Sequence, residues 1–202
     1  MVGKLNDDGG FTLMEIIIVL VIVGLLTSIL TPALVKYVQN AKLRRAMDDT
    51  KMIGTAIGHF YNDLGEWPIW LDGRFWLPGR SDVKMNFLRT LRNGQTLPWD
   101  PNVYLQIGWM SSNLEDQLIT DNRAYPTSGE RAWRGPYIEQ LRKDPWGVDY
   151  LVDVNGLWPE YEAGTTTAFV LSSGPNRTLE TPFGVQSLSL APGGDDIVFR
   201  LK

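Results

Sequence analysis

The chain has 202 residues, 44% hydrophobic and 21% charged, which excludes wholesale disorder and leaves room for one ordinary domain plus an appendage. Its 19 basic and 23 acidic residues give a net charge of −4, too little basic surface for a sequence-independent grip on nucleic acid, so no nucleic-acid partner is expected. The absence of cysteine excludes disulfides, Cys-ligated zinc, iron–sulfur clusters and thiol nucleophiles.

Residues 1–10 (MVGKLNDDGG) are short, polar and end in two glycines. The apolar residues concentrate directly afterwards. Residues 16–35 (IIIVLVIVGLLTSILTPALV) form a run of twenty with no charge, and as a helix they span roughly 30 Å, the thickness of a bilayer hydrocarbon core. A cleaved secretory signal has a shorter apolar region, of about 7–15 residues, and a small-residue cleavage site that is missing here. The competing reading is a buried core helix, against which stand β-branched residues on every side of so long a segment. Beyond the run, Lys36, Lys42, Arg44 and Arg45 favour a cytoplasmic C-terminal side by the charge rule, whereas the first ten residues give little counterweight. Glu15 stands at the start of the apolar run. A carboxylate there is costly unless paired or protonated, or unless it lies at headgroup depth.

The helix is predicted to continue over 12–64, on the order of 80 Å, through Gly24 and Pro32. After Lys36 it turns amphipathic. Val35, Val38, Lys42, Ala46, Ile53, Ile57, Phe60 and Leu64 recur at intervals of three, four or seven, a stripe that covers a domain. Gly65 is a natural residue to follow the last helical turn, and Pro68 forbids much further extension. His59, the single histidine, has neither a second histidine nor a cysteine with which to hold a transition metal.

Residues 66–137 are rich in Trp, Pro and Gly and read as loops with short elements. Ser81-Asp82 is positioned to cap a helix over 81–92, closed by Asn93-Gly94. Trp99, Trp109 and Trp133 read as satellite core. Asp144-Pro145-Trp146-Gly147 is a turn, in which Asp144 accepts from backbone N–H groups, Pro145 presets φ and Gly147 permits positive φ. Trp146 is placed at the junction of sheet and long helix. Strands are predicted over 149–154, 166–171 and 196–201. One long helix against short antiparallel strands makes an α+β domain.

No phosphate loop of the G-x-x-x-x-G-K-[ST] type and no G-x-S-x-G elbow occurs. Asp48 and Asp49 are adjacent and point apart on a helix. A structural protein is expected, not an enzyme.

Gly10-Phe11-Thr12-Leu13-Met14-Glu15 and the span behind it resemble the processing site of type IV prepilins and type II secretion pseudopilins. Gly135-Pro136-Tyr137-Ile138 and Lys143–Tyr150 resemble a stretch of the major pseudopilin. The resemblance implies a leader over 1–10, cut between Gly10 and Phe11 by a prepilin peptidase, with N-methylation of Phe11. It implies a transmembrane and filament-core half over 11–35, an amphipathic half over 36–65 and a periplasmic α+β domain over 66–202. The protein would be a single-pass subunit of the bacterial inner membrane that stacks into a homo-oligomeric filament with other pseudopilins on an inner-membrane assembly platform. The new amine of Phe11, with an ordinary pKa of about 8, would meet Glu15 of a neighbouring subunit and fix the register. Cleavage motif and missing catalytic set favour this over a single-span anchored binding protein. A type IV pilin or minor pseudopilin stays open within the class.

The same resemblance implies a calcium site. Ser173 would offer its carbonyl, Asn176 its side-chain oxygen in place of the usual Asp, and Asp195 and Asp196 their carboxylates, a mixed set of hard oxygens that suits the ion. The alternative is a plain polar entry to the last strand.

Overall fold

The computed structural model describes residues 11–69, 87–89, 111–121, 125–157, 167–181 and 191–201. The chain falls into two compact units, Met1–Ala41 and Lys42–Lys202. Helix α1, Leu13–Leu64, is 52 residues long.

In the first unit every described residue, 11 through 41, is exposed. The apolar window has a mean hydropathy of 2.8, and none of it is covered by the rest of the chain. A soluble core helix would be mostly covered, so the reading as a buried core helix fails. Among the described residues this one helix is long and apolar enough to cross a membrane. The three hydroxyl side chains of the apolar run 16–35 turn back onto their own helix. Thr27 Oγ1 donates to Val23 O, Ser28 Oγ to Leu25 O and Thr31 Oγ1 to Thr27 O, each at 2.8 Å. Each hydroxyl is thereby satisfied without water, as an apolar surrounding demands. Pro32 lies inside the helix without ending it.

In the second unit α1 buries Ala46, Thr50, Ile53, Gly54, Ala56, Ile57, Phe60 and Leu64. The expected stripe therefore holds from Ala46 onward, while Val35, Val38 and Lys42 are exposed. Gly65, at φ +73°, ends the helix, its N–H donating to Tyr61 O at 2.7 Å.

Five short strands follow: β1 Phe87–Arg89, β2 Ser111–Asn113, β3 Leu151–Asp153, β4 Phe169–Ser172 and β5 Ile197–Arg200. A one-turn helix α2, Glu115–Leu118, lies between β2 and β3, and a 3-10 turn, Asn155–Leu157, follows β3. The sheet order is β2-β1-β3-β4-β5, antiparallel except for the β1–β2 pair. Register aligns Leu88, Val152, Val170 and Phe199 in one row across the sheet. Leu88, Val152 and Val170 join the core with Ile53, Ile57, Phe60 and Leu64 of α1, and Phe199 packs on its edge. Gly54 makes the contact between helix and sheet possible, because a Cβ there would overlap the Phe199 ring. The α+β class follows: one long helix with a small sheet laid on its second half.

Two expectations are corrected. The helix predicted over 81–92 is contradicted at its described residues, Phe87–Arg89, which are strand β1. Pairing to β3 on one side and β2 on the other, with Leu88 fully buried, outweighs the cap signal at Ser81-Asp82. Trp146 is only half-buried and takes no part in the core, where Tyr150, almost wholly covered, fills the space against α1. Trp133 does pack against the core and donates its indole N–H to Gln117 O at 2.9 Å. Trp99 and Trp109 lie outside the described residues.

Candidate functional site

Two groups of residues carry chemistry, one at the start of α1 and one in the loops joining β4 to β5. At the start of α1, Phe11 is 82% exposed. Gly10, the residue expected before the cut, lies outside the described residues. Thr12 caps the helix: Glu15 N donates to Thr12 Oγ1 at 3.2 Å. Glu15 Oε2 accepts in return from Thr12 N at 3.1 Å and from Thr12 Oγ1 at 3.2 Å. This reciprocal arrangement is a capping box, in which side chains satisfy backbone donors that the first helical turn leaves unpaired. The carboxylate also complements the positive end of the helix dipole. Glu15 is therefore held by its own chain. The Thr-x-x-Glu spacing at 12–15 was the sequence signal for it.

The Asp144 turn is as expected. Asp144 Oδ1 accepts from Trp146 N at 3.0 Å and Val148 N at 2.8 Å, and Gly147 has φ +90°. Asp144 Oδ2 accepts from Ser172 Oγ at 2.8 Å, which ties the turn to β4. Nearby, an open cleft of about 470 Å³ lies between α1 and residues 137–142, with Arg45, Asp49, Met52 and Tyr150 in its lining. Tyr150 donates to Asp49 Oδ2 at 2.7 Å. Burial, followed by the Asp49 carboxylate, raises the Tyr150 pKa well above its ordinary value. Tyr137 is pushed up to about 12, first by burial. Both phenols thus stay protonated at neutral pH and act as hydrogen-bond donors. His59 is exposed on α1.

Of the four expected calcium ligands, Asn176, Asp195 and Asp196 share one hydrogen-bonded pair of loops with Glu180, while Ser173 lies at the end of β4 beside Gly174. Asp195 Oδ2 accepts from Asn176 N at 3.1 Å. Asp196 Oδ2 accepts from Glu180 N at 2.9 Å and Thr181 N at 2.6 Å. Thr178 N donates to Asn176 Oδ1 at 2.7 Å. Glu180, which sequence reasoning missed, accepts from Asn176 Nδ2 at 3.0 Å and from Asp195 N at 3.2 Å. The second oxygens of Asp195 and Asp196, together with Ser173 Oγ, are buried without a hydrogen-bond partner. Buried carboxylate oxygens in that condition are costly unless a cation or water reaches them. Carboxylate and hydroxyl oxygens are of the hard type that a divalent cation takes. Among the described residues no three His, Asp or Glu side chains form a metal-holding group, so such an ion would draw on neutral oxygens beside the two aspartates.

Comparison with known proteins bears on the start of α1 and on the chain as a whole. The family described as the prokaryotic N-terminal methylation motif matches residues 5–31, which include Phe11, the capping box and most of the apolar run. Type II secretion system core protein G of Escherichia coli (strain K12) is 25% identical over 186 residues, 92% of this chain and 94% of the relative. The protein of the same name from Pectobacterium carotovorum subsp. carotovorum is 26% identical over 165 residues, 77% of this chain and 79% of the relative. Fimbrial protein EcpC of Eikenella corrodens is 37% identical over 59 residues, only 29% of this chain and 39% of the relative. No solved structure matches the chain. The chain carries the N-terminal methylation motif on a membrane-length helix and is similar, along most of its length, to type II secretion system core protein G.

Proposed function

We propose that this chain is the structural subunit of a pseudopilus, anchored in the inner membrane with residues 66–202 in the periplasm, that assembles by helix stacking and drives type II protein secretion. The observation that carries the reading is the first half of α1. It exposes an uninterrupted apolar surface behind a methylation motif, with one capped carboxylate at its tip. Such a surface is stable in lipid and, after extraction, in the core of a bundle of its own copies. A prepilin peptidase would cut between Gly10 and Phe11, the new terminus would be N-methylated, and its amine would meet Glu15 of the adjacent subunit. The other pseudopilins and the inner-membrane platform are the remaining partners. The likeness to a fimbrial protein extends over 29% of this chain, against 92% for core protein G, so a type IV pilin is the second reading within the class.

The intact mass of the protein from membranes, in cells with and without the peptidase, tests the reading. Loss of residues 1–10 with gain of one methyl group is expected only when the enzyme is present. A full-length, unmethylated chain in both would refute it. Within the class, Glu15→Leu is expected to be processed and inserted but to fail in assembly.

A second reading concerns the β4–β5 region. The unpartnered buried oxygens of Asp195 and Asp196 favour a calcium ion held by these two carboxylates, with the Ser173 carbonyl and Asn176 completing the set. The ion would tie the two loop ends together. Melting of the protein with and without millimolar calcium tests this, and an unchanged midpoint would remove the site.

A further inference from the structure

Asn176 and Glu180, in the loops between β4 and β5, bond to each other. Where the resemblance implies a carboxylate, this chain has Asn176, a neutral amide. Glu180 lies four residues later. Its Oε2 accepts from Asn176 Nδ2 at 3.0 Å and from the backbone N–H of Asp195 at 3.2 Å. One carboxylate thus bonds to both sides of the candidate site. The chain makes room for it at Gly194, which sits at φ +47° and whose missing Cβ would overlap the Glu180 carboxylate. A β-carbon would evict the acid, and positive φ is open to glycine at least strain.

The amide of Asn176 has two ends, and both are committed. Its nitrogen donates to Glu180, and its oxygen accepts from Thr178 N at 2.7 Å with one lone pair to spare. Glu180 therefore fixes which way the amide faces. Ser173, only 2% exposed and with its Oγ unpartnered, follows β4 immediately, and Gly174 beside it packs against the Asp195 backbone. The buried oxygens of Asp195 and Asp196 stand unpartnered in the same region. Those atoms, rather than the acids' hydrogen bonds to one another's loops, point to a ligand.

We propose that Glu180 is a positioning residue for a divalent cation in this loop: it orients Asn176 and supplies from just outside the coordination sphere the negative charge that the amide does not. The proposal rests on the calcium reading above. It goes further in assigning the strength of the site to a side chain that is not a ligand.

Two substitutions separate orientation from charge. Glu180→Gln keeps an oxygen for the Asn176 amide but removes the charge, and a unit charge near a divalent ion is worth roughly fivefold to tenfold in affinity across partly exposed ground. Asn176→Asp adds a charge but sets two carboxylates about 3 Å apart. The test measures calcium binding by titration calorimetry, and melting without calcium, on the full chain in detergent micelles. Four proteins are compared: the parent, Glu180→Gln, Asn176→Asp and the double variant. Weaker calcium binding by roughly fivefold to tenfold is expected in Glu180→Gln, with calcium-free melting nearly unchanged. Asn176→Asp is expected to lower calcium-free melting, and adding Glu180→Gln is expected to restore it. The double variant should also bind calcium more tightly than Glu180→Gln alone. Calcium binding in the parent that Glu180→Gln leaves intact would overturn the role of Glu180 and spare the calcium site. No binding in the parent would overturn both. Additive effects of the two substitutions on calcium-free melting would show that the side chains are not coupled, and would also overturn the proposal.

Discussion

Replacing Asp144 tests how the turn before β3 is held. The residue is 4% exposed and its carboxylate accepts three hydrogen bonds, from Trp146 N, Val148 N and Ser172 Oγ. Hydrogen bonds to a charged group contribute about 1.5–3 kcal/mol each, but three on one carboxylate are not additive. Trp146 is half-buried, so water can reach part of what alanine leaves open. Val148 is buried, so its N–H would be stranded at about 1–3 kcal/mol. Asp144→Ala is therefore expected to cost about 3–5 kcal/mol, a large share of the roughly 5–15 kcal/mol that holds a domain folded. Asp144→Asn keeps one oxygen for the two N–H donors and turns its amide nitrogen toward Ser172, whose hydroxyl can rotate to accept. It is expected to cost only about 1–2 kcal/mol. Urea unfolding of the full chain in micelles, followed by tryptophan fluorescence, reads both. An alanine variant within about 1 kcal/mol of the parent would refute the reasoning, as would an asparagine variant equal to alanine.

Four further outcomes are expected. Tyr150 is held protonated above the ordinary phenol pKa of about 10 by burial and by Asp49, so the stability it adds is full below pH 10 and lost as pH rises through its raised pKa. Tyr150→Phe should flatten the loss of stability above pH 10 in alkaline melts, while costing about 1 kcal/mol at neutral pH for the lost bond to the partly exposed Asp49. Phe60 is fully buried and meets Tyr125 and Tyr137 edge-on at centroid distances of 5.0 and 5.7 Å, so Phe60→Ala should cost about 3–5 kcal/mol in the same urea assay. Gly54→Leu should displace the Phe199 ring and lower the melting temperature, a shift that Phe199→Ala in the same chain partly relieves. Because the chain has no cysteine, Thr55→Cys on the exposed face of α1 gives one thiol; a membrane-impermeant maleimide should label it in spheroplasts without lysis, and labelling only after lysis would reverse the orientation.

The sequence made the long helix legible because its signals are local and repeated: the uncharged run, the stripe from Ala46 to Leu64, and Gly65. The turn at Asp144 was legible for the same reason, since its residues satisfy one another within five positions. Strand β1 was not, because a three-residue strand is defined by partners far away in the chain, here Leu151–Asp153 and Ser111–Asn113. The candidate site divides along the same line. The adjacent acids Asp195 and Asp196 could be read directly, whereas Glu180 acquires meaning only when the chain returns at Gly194 to meet it. The upper part of the amphipathic stripe misled because Val35 and Val38 continue the period beyond the residues that cover it.

The capping box limits what the Glu15 carboxylate would contribute to the proposed assembly. In the single chain it already accepts two hydrogen bonds from Thr12, so it is not a stranded charge waiting for a partner. An amine from a neighbouring subunit must compete with those bonds, and the net gain from the exchange is smaller than the attraction of two isolated charges would suggest. In the proposed filament the apolar faces, exposed in the single chain, would supply most of the association. They also specify position poorly, because Ile, Leu and Val repeat on every side of the helix and many staggers bury similar area. A charge pair that is nearly neutral in the right stagger and costly in every other is suited to choosing among them. In the proposed filament Glu15 would act on register rather than affinity, and its replacement by leucine is expected to spare insertion and impair assembly.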